Sequence, residues 1–179
     1  MLTSKVAKRY AQGLLNFTQE TGNTPAILGE MSDIVKTIEK SKDLKNFFSS
    51  PIIDAKKKVT IAMEIFQGFS PVSKNMIQMV IKHGREKQMQ QIAQEYVNKV
   101  EDLNEVQRIT LTSADSLTPE NIQNILKTSA LVNHERKFNV KTIINPNILG
   151  GYILRVGDQQ IDASVKSKLT RIQKEFQLN

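Results

Sequence analysis

Two histidines, His83 and His134, are the side chains of this 179-residue chain best suited to proton transfer near neutral pH. Neither sits in a catalytic pattern. His83 ends a helical stretch just before Gly84, where a cation complements the helix dipole. His134 belongs to a polar turn, His134-Glu135-Arg136. Their separation offers no local metal-ligand spacing. The chain has no Cys, which excludes thiolate zinc sites, disulfides and thiol nucleophiles. It holds no G-x-x-x-x-G-K-S/T or G-x-G-x-x-G phosphate cradle and no G-x-S-x-G elbow. The adjacent carboxylates Glu101-Asp102 read as a solvated helix face. The expectation is therefore no catalytic residues, no metal and no cofactor, as in an adaptor rather than an enzyme.

The densest constellation is conformational, not reactive. Residues 145–169 read N-P-N-I-L-G-G-Y-I-L-R-V-G-D-Q-Q-I-D-A-S-V-K-S-K-L. Asn145-Pro146 favours a turn. Gly150-Gly151 permits torsions or close contacts that a side chain would block. Tyr152, Leu154 and Val156 alternate with Ile153 and Arg155 as in a half-buried strand. Gly157-Asp158 stands where a hairpin turn would fall, and Asp162 or Ser164 can cap a following helix.

These pieces need elements to carry them, and hydrophobic periodicity predicts two kinds. The first hundred residues are helical with short breaks. Val6, Ala7, Tyr10, Ala11, Leu14, Leu15 and Thr18 recur at helical spacing, and Gly22-Asn23 ends that helix. Thr24-Pro25 opens a second, with Thr24 as its cap and Ile27, Met31, Ile34, Val35 and Ile38 as its stripe. A short element holds Leu44, Phe47 and Phe48. Asp54 caps a helix bearing Val59, Ala62, Ile65 and Phe66, in which Lys56-Lys57-Lys58 reads as a solvated face. Ser70-Pro71 opens a fifth helix, with Val72, Met76, Met79, Val80 and His83 on one side. A sixth carries Met89, Ile92, Ala93, Tyr96, Val97, Val100 and Leu103. Near residue 105 the period changes to two: Ile109, Leu111 and Ser113 predict one strand, Phe138, Val140 and Thr142 another. Thr118-Pro119-Glu120 starts a helix between them. Val165, Leu169, Ile172 and Phe176 form one apolar stripe on a last helix. The predicted fold is thus a six-helix bundle over residues 1–104, followed over 105–179 by a small α/β domain of short strands and two helices.

The net charge is +7 and the sequence pI about 9.6, which would suit a nucleic-acid-binding protein. The excess is spread, however. Residues 1–104 carry 15 Lys and Arg against 11 Asp and Glu, and residues 105–179 carry 10 against 7. No apolar run approaches the ~20 residues of a membrane span, and the first residues lack a signal-peptide core, so no direct membrane insertion is expected. Met76, Met79 and Met89 cluster on neighbouring helices, either as core packing or as an adaptable groove for a partner helix.

The motif N-P-x-I-L-G-G-Y-x-L-R-x-G-D-x-x-I-D-x-S-V-x-x-K-L strongly resembles the C-terminal motif of the δ subunit of bacterial F-type ATP synthases. The mitochondrial counterpart is the oligomycin-sensitivity-conferring protein. Val6-Ala7-Lys8-Arg9-Tyr10-Ala11-Gln12-Gly13-Leu14-Leu15 is similar to that family's first helix, and the length agrees across the chain. The resemblance implies a non-catalytic stator subunit of a proton-translocating synthase, present as one copy per complex and a monomer when isolated. It implies a place on the cytoplasmic face of the bacterial inner membrane, held peripherally. The N-terminal domain would hold the N-terminal helix of an α subunit in a groove between its first and fifth helices. Ala7, Tyr10, Ala11, Gly13 and Leu14 map onto one wall, and Met76, Met79, Val80 and His83 onto the other. The C-terminal domain would meet the C-terminal end of subunit b. In this reading Asn145, Pro146, Gly150, Gly151, Gly157, Asp158, Asp162 and Ser164 set backbone geometry.

Overall fold

The structure, a computed structural model, describes residues 4–177. It separates into two compact units, Met1–Leu103 and Asn104–Asn179. Among the described residues the fold is α+β, with eight α-helices and one four-stranded sheet.

The first unit contains α1 (Lys5–Glu20), α2 (Thr24–Lys40), α3 (Lys42–Ser49), α4 (Ala55–Ile65), α5 (Pro71–Lys82) and α6 (Met89–Leu103). Short polar side chains start most of them by accepting a bond from an otherwise orphaned backbone N–H: Ser4 from Ala7, Ser41 from Leu44, Asp54 from Lys56 and Ser70 from Ser73. The second helix differs from the expected start. Its cap position is Asn23, without a side-chain bond, and Thr24 already lies inside the helix. Glu30 of α2 reaches the start of α5, where its carboxylate accepts from Ser70 N at 2.7 Å and Ser70 Oγ at 2.8 Å. The start of α5 is thus tied to α2.

The core of this unit is tightest between α1 and α6. Ala7, Ala11 and Ala93 are fully buried, and residues this small let two helices approach closely. A buried hydrogen bond of 2.9 Å joins Thr18 Oγ1 and Tyr96 Oη across them. Burial pushes the Tyr96 phenol pKa up, against the opposing effect of the Thr18 bond.

Lys58 departs from the expected solvated face. It is only 2% exposed. Its ammonium donates to Glu86 Oε1 and to Ser50 O, both at 2.7 Å. The partners lie 28 and 8 residues away, so no local pattern marks this lysine as different from Lys56 and Lys57.

The second unit contains β1 (Gln107–Ser113), α7 (Pro119–Thr128), β2 (Phe138–Ile144), β3 (Tyr152–Val156), β4 (Gln159–Asp162) and α8 (Val165–Gln177). The strand order is β2-β1-β3-β4. β1 and β2 run parallel, as a crossover through a helix allows, and the other pairs are antiparallel. Leu111 pairs with Leu154, and both are fully buried beside Ile109, Leu126 and Val132. Among the described residues, apolar surface remains open in two places. β2 forms a sheet edge with Phe138, Ile143 and Ile144 exposed. The stripe of α8 is exposed along its length, from Val165 through Leu169 and Ile172 to Phe176.

Candidate functional site

The motif at residues 145–164 works as a backbone joint. Asn145 N donates to Ser113 O at the end of β1 (2.7 Å), and the Asn145 side chain accepts from Asn147 N across a 3-10 turn at Pro146–Ile148. That turn buries Ile148. Gly151 has φ +70°, and any Cβ there would collide with the carbonyl oxygen of Ala163. Gly150 O accepts from Val165 N at 3.0 Å, which ties the turn to the start of α8. Gly157, with φ +58°, and Asp158 form the turn between β3 and β4. Both cap candidates act at α8. Ser164 Oγ accepts from Ser167 N, while Asp162 accepts from Ser164 N and Ser167 Oγ. The bonds from Ser164 and Ser167 hold the Asp162 carboxyl below its ordinary pKa.

Most of the other candidate residues line an open groove of about 750 Å³ in the first unit. Arg9, Tyr10, Gly13, Leu14 and Phe17 come from α1, and Val72, Asn75, Met76, Met79, His83 and Arg85 from α5 and the turn after it. The spacings 10, 13, 14, 17 and 72, 76, 79, 83 each mark one helix face. Leu14 and Met76 are buried, Phe17 and Met79 are about half exposed, and a Cβ on Gly13 would meet nothing within 4 Å. His83 caps α5, and its Nδ1 lies 2.8 Å from Met79 O. The carbonyl can only accept, so Nδ1 carries the hydrogen.

Six of the nine residues expected on the walls line this groove: Tyr10, Gly13, Leu14, Met76, Met79 and His83. Ala7, Ala11 and Val80 do not, because all three are fully buried in the core. The reason is angular. One residue turns a helix by about 100°, so Val80 faces away from Met79 and joins Ile77 inside. Ala7 and Ala11 belong to the core-facing stripe of α1. Of the methionines, Met89 is core, Met76 is a buried part of the lining and Met79 stands half exposed. Of the other five lining residues, sequence reasoning placed Val72 on the same face of α5 but not on the wall, and passed over Arg9, Phe17, Asn75 and Arg85. Phe17 could have been found, since it lies three and seven residues beyond Leu14 and Tyr10. Arg85 carries no such signal, because it follows the helix.

Residues 6–176 match the family model described as ATP synthase delta (OSCP) subunit. The chain is 33% identical to the ATP synthase subunit delta of Christiangramia forsetii, with all of this chain and 97% of that one covered. It is 29% identical to the same subunit of Syntrophomonas wolfei, over 98% and 97% of the two chains. In fold it is similar to a chain of the mitochondrial ATP synthase hexamer of Toxoplasma gondii, with a TM-score of 0.76 and 17% identity over 97% and 98% of the two. No described helix is long and apolar enough to cross a membrane, as befits a peripheral component of such a complex. The nucleic-acid reading of the charge finds no support in these relationships. A chain that places its geometry-setting motif in a sheet joint and matches one family along nearly its whole length belongs to the ATP synthase delta (OSCP) subunit family, the non-catalytic stator subunits of F-type ATP synthases.

Proposed function

We propose that the first unit is the family's six-helix bundle and holds the N-terminal helix of an α subunit in the groove between α1 and α5. The second unit then faces the peripheral stalk and meets the C-terminal end of subunit b, on the cytoplasmic face of the bacterial membrane. The open groove itself carries this reading. Phe17 and Met79 stand about half exposed on opposite walls, over the buried Leu14 and Met76. Such a surface suits an amphipathic helix laid lengthwise.

The energetics fit a stator joint, which needs slow release rather than turnover. Nanomolar affinity corresponds to about 12 kcal/mol. Leu14 and Met76 have little area left to bury, so the gain comes from Phe17, Met79 and the partner's own apolar side chains. Four to six such side chains at about 1.5–3 kcal/mol each give about 6–18 kcal/mol before association costs of about 4–15 kcal/mol, so a nanomolar joint needs the upper end of that burial together with polar contacts at the rim. The exposed stripe of α8 and the open edge of β2 are the apolar surfaces that the second unit can offer to the stalk.

The test is a titration of the full-length chain with a peptide matching the N-terminus of the α subunit. Binding is expected, and Met79→Asp weakens it at least tenfold while leaving the melting temperature almost unchanged, because the site is exposed. No detectable binding at micromolar peptide by the unaltered chain sinks the groove assignment.

A further inference from the structure

The groove is not uniform along its length. The contact Ser4 Oγ–Gln88 Oε1 (3.4 Å) places the turn that leads into α6 beside the start of α1. Arg85 and His83 lie three and five residues before Gln88, so the end of α5 stands near the start of α1. One end of the groove therefore joins Arg9, near the start of α1, to His83 and Arg85, at the end of α5. The other end joins Phe17 to Val72.

The first end is cationic and lacks compensation. Among the described residues no acidic side chain lines the groove. Among the described residues no carboxylate pairs with Arg9 or Arg85. The nearest acid in sequence, Glu86, is committed to the buried Lys58. The Arg9 guanidinium lies 5.9 Å from the Tyr10 ring centroid, a contact that leaves its donors available.

Resting on the groove reading above, we propose that the groove selects the polarity of its occupant. The helix it takes carries carboxylate side chains at the end that meets Arg9 and Arg85, and bulky apolar side chains at the end that meets Phe17 and Val72. The apolar end supplies most of the affinity. The cationic end sets direction and speeds encounter, as rim charges do. It also penalises a helix laid the other way round, whose apolar end would cover two unpaired guanidinium groups.

The experiment uses the full-length chain and synthetic amphipathic helical peptides with one shared apolar stripe. A Glu pair stands in the first or the last turn, and each peptide has a twin with Lys in place of Glu. One Glu peptide is expected to bind at least tenfold more tightly than its Lys twin at low ionic strength. That gap closes near 1 M salt, where the Debye length is about 3 Å. The double variant Arg9→Glu/Arg85→Glu inverts the preference. Equal affinities within twofold for every Glu and Lys twin, with binding retained, overturn the polarity and leave the groove standing. Failure of all the peptides and of the α-subunit peptide to bind removes the groove assignment, and this inference with it.

Discussion

Replacing Gly13 with Ala separates what the groove contributes to folding from what it contributes to binding. Gly13 is the ninth of sixteen residues in α1, well inside the helix. There a glycine costs up to about 1 kcal/mol relative to alanine. Nothing lies within 4 Å of the Cβ that alanine would add, so no steric term opposes this gain. The first unit should therefore become more stable by up to ~1 kcal/mol, a rise of about 4–8 °C in melting temperature for a domain of this size. The same methyl projects into the groove that the partner helix is proposed to fill. If the glycine admits a closely packed helix, the added volume is overpacking, at about 1–3 kcal/mol. That weakens the α-subunit peptide by roughly 5- to 150-fold. The assay pairs thermal unfolding followed by circular dichroism with calorimetric titration of the same preparation. Opposite signs are expected: higher melting temperature, lower affinity. An unchanged or lower melting temperature refutes the reading of α1 as an unstrained helix with open space beside Gly13. A raised melting temperature with affinity unchanged within twofold shows that no partner backbone packs there.

Three further outcomes follow from contacts away from the groove. Lys58→Ala leaves Glu86 without its cation in a buried site, a loss of about 3–5 kcal/mol in urea unfolding, which the double change Lys58→Met/Glu86→Leu should largely restore; a loss below 1 kcal/mol contradicts the assigned burial. Gly151→Ala combines a left-handed backbone with a collision at Ala163 O, so slow amide exchange should disappear from β3 and β4 while α1 and α6 keep theirs. Asp162 has a folded pKa below its ordinary value, so its contribution is present above about pH 4 and is lost as pH falls through the folded value. The gap in urea midpoint between the unaltered chain and Asp162→Asn should accordingly be clear near pH 6 and shrink towards pH 2; a pH-independent gap excludes the capping carboxylate as its source.

Much of the fold was legible because its signals are local. Ser70-Pro71 and Thr118-Pro119 announce helix starts, and both hydroxyls accept the expected backbone bond. The alternation of Ile109, Leu111 and Ser113 marks the buried face of β1. Elsewhere the same kinds of pattern led to different outcomes. Phe138, Val140 and Thr142 alternate equally well, yet only Val140 is even partly buried, because β2 forms the edge of the sheet. The stripe of α8 is regular, yet it faces solvent. Periodicity states which side chains share a face; it does not say whether anything covers that face. For the groove, helical spacing put Met76, Met79 and His83 on one face, and all three line it, but spacing could not separate Met79 from Val80, which is a matter of where the neighbouring helices lie.

Taken alone, the sequence determined the family, the order of helices and strands, and the lack of any residue pattern for catalysis. These depend on residue types and short spacings, which act within a few turns of chain. Tertiary structure decided which side chains meet across long separations. It buried Lys58 against Glu86, sent Ala7, Ala11 and Val80 to the core, and brought Arg9 and Arg85 to one end of the groove. The physical reason is that burial and electrostatic context belong to the packed neighbourhood. They are set only when α6 packs against α1 and α2 and α5 joins α1 in lining the groove.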